Sequence, residues 1–262
     1  MLDPPAVSGT YRTNDGVGLH YEQAGEGRPL IMIPGATASI EWFKRNFGPL
    51  SRELHVVALD MRGFGRSEPS PWGQSCARYA MDVFGLLQHL NLRDVTLLGW
   101  SCGARTIYTY LMLLGNERLR AAVLVDDTVH HSVHDPPLAD VVRRPGESEE
   151  AHQRRTFRLM VSPTDPQALP ESELEWMLAA VGEFPESLHA DGRAQDFRPL
   201  CPTIDLPVLL VSGRHSGALP GCRYAAEQIP GARLEVFEES QHVPFYTEAD
   251  RFNRLVADFV RQ

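Results

Sequence analysis

Gly99-Trp100-Ser101-Cys102-Gly103 sets a serine between two glycines, and its flanks give that spacing chemical meaning. The apolar run Val95-Thr96-Leu97-Leu98 leads in, and the helical pattern from Ala104 to Leu111 leads out. A strand that turns sharply into a helix would hold Ser101 strained and exposed at the top of a parallel sheet. So tight a turn leaves no room for a Cβ at Gly99 or Gly103. It also puts the serine beside a helix N-terminus, whose free N–H groups favour a developing oxyanion. A hydroxyl is a weak nucleophile until a base takes its proton, so Ser101 needs a histidine. Of the ten in the chain, His242 is the candidate: it follows the last apolar strand in the polar stretch Glu239-Ser240-Gln241-His242, shortly before the final helix. His130, His131 and His134 are dense enough to suggest a metal site. No second ligand group accompanies them, so they read as a pocket rim or solvated loop, and no metal is expected.

These motifs stand in a telling order. Leu30-Ile31-Met32-Ile33-Pro34-Gly35-Ala36 precedes Asp60-Met61-Arg62-Gly63-Phe64-Gly65-Arg66-Ser67, a D-x-R-G-x-G-x-S pattern, and both precede Ser101 and His242. On these residues the chain resembles the α/β-hydrolase superfamily over nearly its whole length. The likeness is greatest to small bacterial esterases and cofactor-free haloperoxidase-like members. The resemblance implies an α/β fold, with a mostly parallel eight-stranded sheet flanked by helices and a helical cap inserted after strand 6. It implies an oxyanion hole built from the N–H groups of Cys102 and Ala36. The family's usual His-Gly is Pro34-Gly35 here, which spares the donor because the donor is main chain. Cys102 would then act through its backbone, with a structural side chain.

The acid departs from the pattern. Relatives usually carry it after the seventh strand as G-x-x-D, but Gly213-Arg214-His215-Ser216 places a serine there. A neutral serine cannot stabilise imidazolium as a carboxylate does, and losing a triad carboxylate costs about 10⁴ in turnover. The resemblance suggests that haloalkane dehalogenases and fungal lactonases with a displaced acid carry it at the end of the sixth strand, which aligns with Asp126. Three alternatives stay open: Asp126 as a strand-end carboxylate bonded to loop amides, Asp127 as the acid, or a dyad or inactive enzyme. Asp127 is disfavoured because consecutive strand side chains point to opposite sides. Ser216 itself is expected to contribute little.

The elements that must position these residues follow from the apolar pattern. Thr10–Thr13 and Leu19–Glu22 around Asn14-Asp15-Gly16 read as a hairpin. Strands are expected at 30–33, 55–60, 95–98, 121–125, 207–213 and 234–237. Helical spacing marks 75–90 and a final helix carrying Phe252, Leu255, Val256 and Phe259. Alternation of this kind predicts a mostly parallel sheet covered on both faces. Between Asp127 and Leu206 no strand signal occurs, while helical stretches surround Phe157–Met160 and Leu174–Leu178. Structureless loops beyond about 15 residues are uncommon. Residues 129–203 are therefore expected to form a helical cap, or lid, on a core of 1–128 and 204–262.

With 262 residues the chain can bury roughly three quarters of its unfolded surface without disulfide or metal staples. A net charge of −9 without a basic cluster argues against nucleic acid. No secretory signal is read at the start, and no apolar run approaches the ~20 residues of a membrane span. Four cysteines without metal-ligand spacing suggest a reduced, cytoplasmic protein. The expected activity is a serine hydrolase that cleaves a carboxylic ester, lactone or thioester, with a small acyl compound as partner and no cofactor. Other chemistry on the same fold (acyl transfer, perhydrolysis, carbon–carbon cleavage, cofactor-free oxygenation) and a non-catalytic ligand-binding relative are the alternatives.

Overall fold

A computed structural model describes residues 3–130, 143–183 and 185–262. Eight strands form one sheet in the order β1-β2-β4-β3-β5-β6-β7-β8. They are β1 (Val7–Arg12), β2 (Gly18–Ala24), β3 (Pro29–Ile33), β4 (His55–Leu59), β5 (Val95–Trp100), β6 (Leu119–Val125), β7 (Val208–Gly213) and β8 (Arg233–Phe237). β1 and β2 make the antiparallel hairpin, and β2 also pairs antiparallel with β4. The neighbours from β4 through β8 run parallel. Strands β5 and β7 are buried along their whole length, which is why they read as mainly apolar runs.

Alternate side chains divide the core. Ile31, Ile33, Leu97, Leu124 and Leu210 face one side, packed with α2 (Cys76–His89), α3 (Cys102–Leu114) and α7 (Leu219–Gln228). Leu30, Met32, Leu98, Val123 and Leu209 face the other, packed with α1 (Phe47–Ser51), α8 (Pro244–Thr247) and α9 (Ala249–Arg261). Ser75 begins α2 by accepting a bond from the Arg78 N–H, in keeping with the helix start expected there. The D-x-R-G motif serves this frame. The Arg62 side chain is wholly buried and binds Asp82 of α2 and Asp15 of the hairpin turn, at 2.7 and 2.8 Å. It thereby ties three segments together.

Between β6 and β7 the described residues contain α4 (Glu149–Val161), α5 (Glu171–Ala179) and α6 (Glu186–Ala194), and no strand. Residues 131–142 and 184 of the expected cap lie outside the described residues. These helices touch loops at the carboxyl ends of the strands. Gly182 N–H donates to Thr37 O at 3.0 Å, just past β3. The N–H of Cys76 at the start of α2 donates to Asp191 of α6 at 2.7 Å. Lys44 lies over the Trp176 ring at 3.6 Å and pairs with Glu173 at 2.7 Å. Trp42 stands between Phe157 and Trp176 of the insertion and Trp100 of β5, with ring centroids 5.2–5.9 Å away. No helix of the described residues is long and apolar enough to cross a membrane.

Candidate active site

Ser101 stands between β5 and α3 with φ 53° and ψ −120°, a strained conformation for a residue with a side chain. The flanking glycines are a steric necessity. A Cβ on Gly99 would lie 2.3 Å from Gly103 O, and one on Gly103 would lie 2.4 Å from Ile33 O. The strain is held by the backbone: Ser101 N–H donates to Val125 O at 2.9 Å, and Ser101 O accepts from Ala104 and Arg105 at 2.8 and 3.2 Å. The Ser101 hydroxyl does not cap its own helix, which leaves it for other partners. Cys102 is the first residue of α3, and Ala36 is in the loop after β3. Among the described residues neither of their N–H groups meets a carbonyl or side-chain acceptor.

His242 and Asp126 meet although 116 positions separate them: His242 Nδ1 lies 2.6 Å from Asp126 Oδ2. An ionised carboxylate only accepts, so Nδ1 carries the hydrogen and Nε2 is left with its lone pair. The imidazole is about 30% exposed while Asp126 is wholly buried. Asp126 has φ 51°, a left-handed conformation that Asp tolerates better than most residues, and its N–H donates to Val211 O at 2.8 Å. The histidine loop is fixed from several sides. Trp100 Nε1 donates to His242 O at 2.9 Å, and the two rings lie 5.4 Å apart. Ser240 Oγ donates to Glu248 at 2.7 Å. Gly213 lets the loop press on the end of β7, since a Cβ there would lie 2.0 Å from Gln241 O.

The other candidates divide. Asp127 turns away from His242 and takes two bonds from Arg105, at 2.7 and 3.0 Å. That charge raises Arg105 above its ordinary guanidinium range. Ser216 is at the site: its hydroxyl donates to Asp126 Oδ2 at 2.6 Å, a bond that the expectation of a minor role leaves out. The Cys102 sulfur lies 3.9 Å from that of Cys76. That contact, and then burial, push the thiol well above its ordinary range and leave it protonated. Among the described residues no cluster of three or more His, Cys, Asp or Glu could hold a metal, and His131 and His134 lie outside them.

Sequence reasoning missed Ser212, Trp100 and Glu248 as parts of the site. Only Ser212 had a local signal, a hydroxyl within the otherwise apolar run Val208–Val211 and Gly213. A cleft of about 490 Å³ lies between the insertion and the loops after β3 and β4, lined by Thr37, Ser39, Glu41, Phe64, Trp176 and Gly182.

Comparison with known proteins agrees with this architecture. The family model described as alpha/beta hydrolase fold matches residues 28–154. The chain is 30% identical to 2-hydroxy-6-oxononadienedioate/2-hydroxy-6-oxononatrienedioate hydrolase 2 of Pseudomonas putida, over 93% of this chain and 91% of that protein. It is 28% identical to a non-heme chloroperoxidase of Kitasatospora aureofaciens, covering 95% and 98% of the two. Among solved structures, an esterase from Exiguobacterium antarcticum superposes with a TM-score of 0.82 at 23% identity, covering 97% of this chain and 99% of its own.

Proposed function

The chain belongs to the α/β-hydrolase superfamily, in its haloperoxidase-like branch, and we propose that it is a serine hydrolase cleaving a carboxylic ester, lactone or thioester through an acyl-enzyme. The observation that carries this reading is the 2.6 Å bond between His242 Nδ1 and a wholly buried Asp126, on a chain whose Ser101 occupies a strained strand-to-helix turn. Ser101 Oγ attacks the substrate carbonyl as His242 Nε2 takes its proton. The N–H groups of Cys102 and Ala36 bind the oxyanion. The imidazolium, stabilised by Asp126, returns the proton to the leaving alcohol or thiol. Water, deprotonated by the same nitrogen, then releases the acid and restores Ser101. Side chains and water complete every step, so the reading includes no cofactor. In this reading the insertion, which bonds to Thr37 beyond β3 and to the start of α2, serves as the lid. The four cysteines are all free thiols, which suits the cytoplasm.

Kinship with a chloroperoxidase favours one second reading, in which hydrogen peroxide replaces water and the acyl-enzyme yields a peracid. The test is turnover of p-nitrophenyl esters of graded chain length by the parent protein and by Ser101→Ala, with peracid formation followed when peroxide is added. Hydrolysis that falls on the order of 10⁴-fold or more in the variant supports the proposal. Equal turnover by both proteins contradicts it, and peracid formation outpacing hydrolysis favours the second reading.

A further inference from the structure

Asp126 is fully enclosed, and an enclosed carboxylate is costly unless its lone pairs are filled. It can accept about four hydrogen bonds, and here four donors converge on it. Oδ1 takes Ser212 Oγ at 2.6 Å and Gly213 N–H at 3.1 Å, while Oδ2 takes Ser216 Oγ at 2.6 Å and His242 Nδ1 at 2.6 Å. Ser212 is wholly buried and Ser216 is 8% exposed. Ser216 Oγ also accepts from Ala218 N–H at 3.1 Å, which directs its own hydrogen at Asp126. Three of the four donors therefore come from β7 and the turn after it. This is the segment on which the resemblance expects the acid itself.

We infer that Ser212 and Ser216 are positioning residues for a carboxylate displaced from β7 to β6. Each hydroxyl pins one oxygen: Ser212 seats Oδ1 against the Gly213 N–H, and Ser216 keeps Oδ2 in line with His242. Both are hydrogen bonds to a carboxylate, the kind that is shorter and stronger than one between neutral groups. Ser216 thus supports the acid instead of replacing it. The inference rests on the proposed serine-hydrolase reading, since Asp126 has a task only if His242 serves Ser101. Of the ionisable groups nearby, Cys222 is pushed up first by burial and then by the Asp126 charge, and Asp127 is already bound to Arg105. Neither supplies a replacement donor from a charged group.

The experiment compares Ser212→Ala, Ser216→Ala and Ser216→Cys with the parent protein. It measures kcat and KM on a p-nitrophenyl ester, with fluorophosphonate labelling of Ser101 as the control. A hydrogen bond to a charged group is lost in each alanine variant, so kcat should fall about 10- to 100-fold with KM changed little. Cysteine is a weaker donor and should fall between serine and alanine. A purely structural role would lower the melting temperature and leave kcat per folded molecule in place, with no graded order of serine, cysteine and alanine at 216, which would overturn the inference. If Ser212→Ala does not fold, the two Ser216 variants decide. A parent protein that neither labels nor turns over overturns the serine-hydrolase reading and this inference with it. A labelled, active parent whose serine variants keep their kcat overturns this inference alone.

Discussion

Replacing Asp126 by asparagine keeps the shape of the site and turns one carboxylate oxygen into an NH₂ donor, so its effect can be worked out atom by atom. The side of the carboxylate at Oδ1 faces the Gly213 N–H at 3.1 Å, a main-chain donor that cannot reverse. The amide oxygen of the asparagine must stay there. Its NH₂ then takes the place of Oδ2, facing Ser216 Oγ, which can turn, and His242 Nδ1, which can pair only by giving up its hydrogen. The neutral imidazole now carries its proton on Nε2 and can no longer accept one from Ser101. This wrong-tautomer trap costs ~10⁴ in kcat where a triad carboxylate has been treated in the same way. At about 1.36 kcal/mol per tenfold, the loss is ~5.4 kcal/mol of transition-state stabilisation. KM and the melting temperature should change little, because packing and most hydrogen bonds survive. The assay is kcat/KM on a p-nitrophenyl ester near pH 7, with folding checked by denaturant titration. Turnover within tenfold of the parent would refute the reasoning.

Other outcomes follow from the same contacts. Asp127→Asn should act on stability more than on chemistry: the largely buried pair with Arg105 is broken, costing on the order of 2 kcal/mol in a urea titration, while kcat per folded molecule stays within a few-fold. Trp100→Phe removes the 2.9 Å bond to His242 O and should lower kcat several-fold with the fold intact, and an unchanged kcat would show that Glu248 and the turn alone hold the loop. The Arg62 hydrogen bonds hold Asp15 well below the usual carboxylate range. A carboxylate lowered in the folded state stabilises above its unfolded value, about 3.9, and loses that contribution as pH falls toward the folded one. The melting-temperature gap between the parent and Asp15→Asn should therefore be full at pH 7 and narrow below about pH 4, and a gap that does not narrow at all by about pH 2 would contradict this.

Much of the frame was legible because buried parallel strands have only one way to read. Val95–Leu98, Ala121–Val125 and Val208–Val211 are apolar runs whose side chains serve both faces of the sheet, and they lie in β5, β6 and β7. The elbow was legible because its glycines answer a local steric demand, with main-chain atoms closer than 2.5 Å to where a Cβ would stand. Helix α6 was not, since Glu186–Ala194 is short, carries Gly192 and buries only Leu188. The support of the histidine was also out of reach. Trp100 meets His242 across 142 positions and Ser212 meets Asp126 across 86, and no local periodicity encodes such pairs. The absent Asp at 216 pointed toward Asp126, and the structure adds why serine stands there: its hydroxyl is bound to that carboxylate.

The most direct test of the central claim is the intact mass of the protein after treatment with a fluorophosphonate, followed by peptide mapping. A single adduct on Ser101 is expected in the parent protein, none in Ser101→Ala, and sharply slower formation in Asp126→Asn. A parent protein that stays unlabelled while visibly folded, or an adduct that persists in Ser101→Ala, would contradict it.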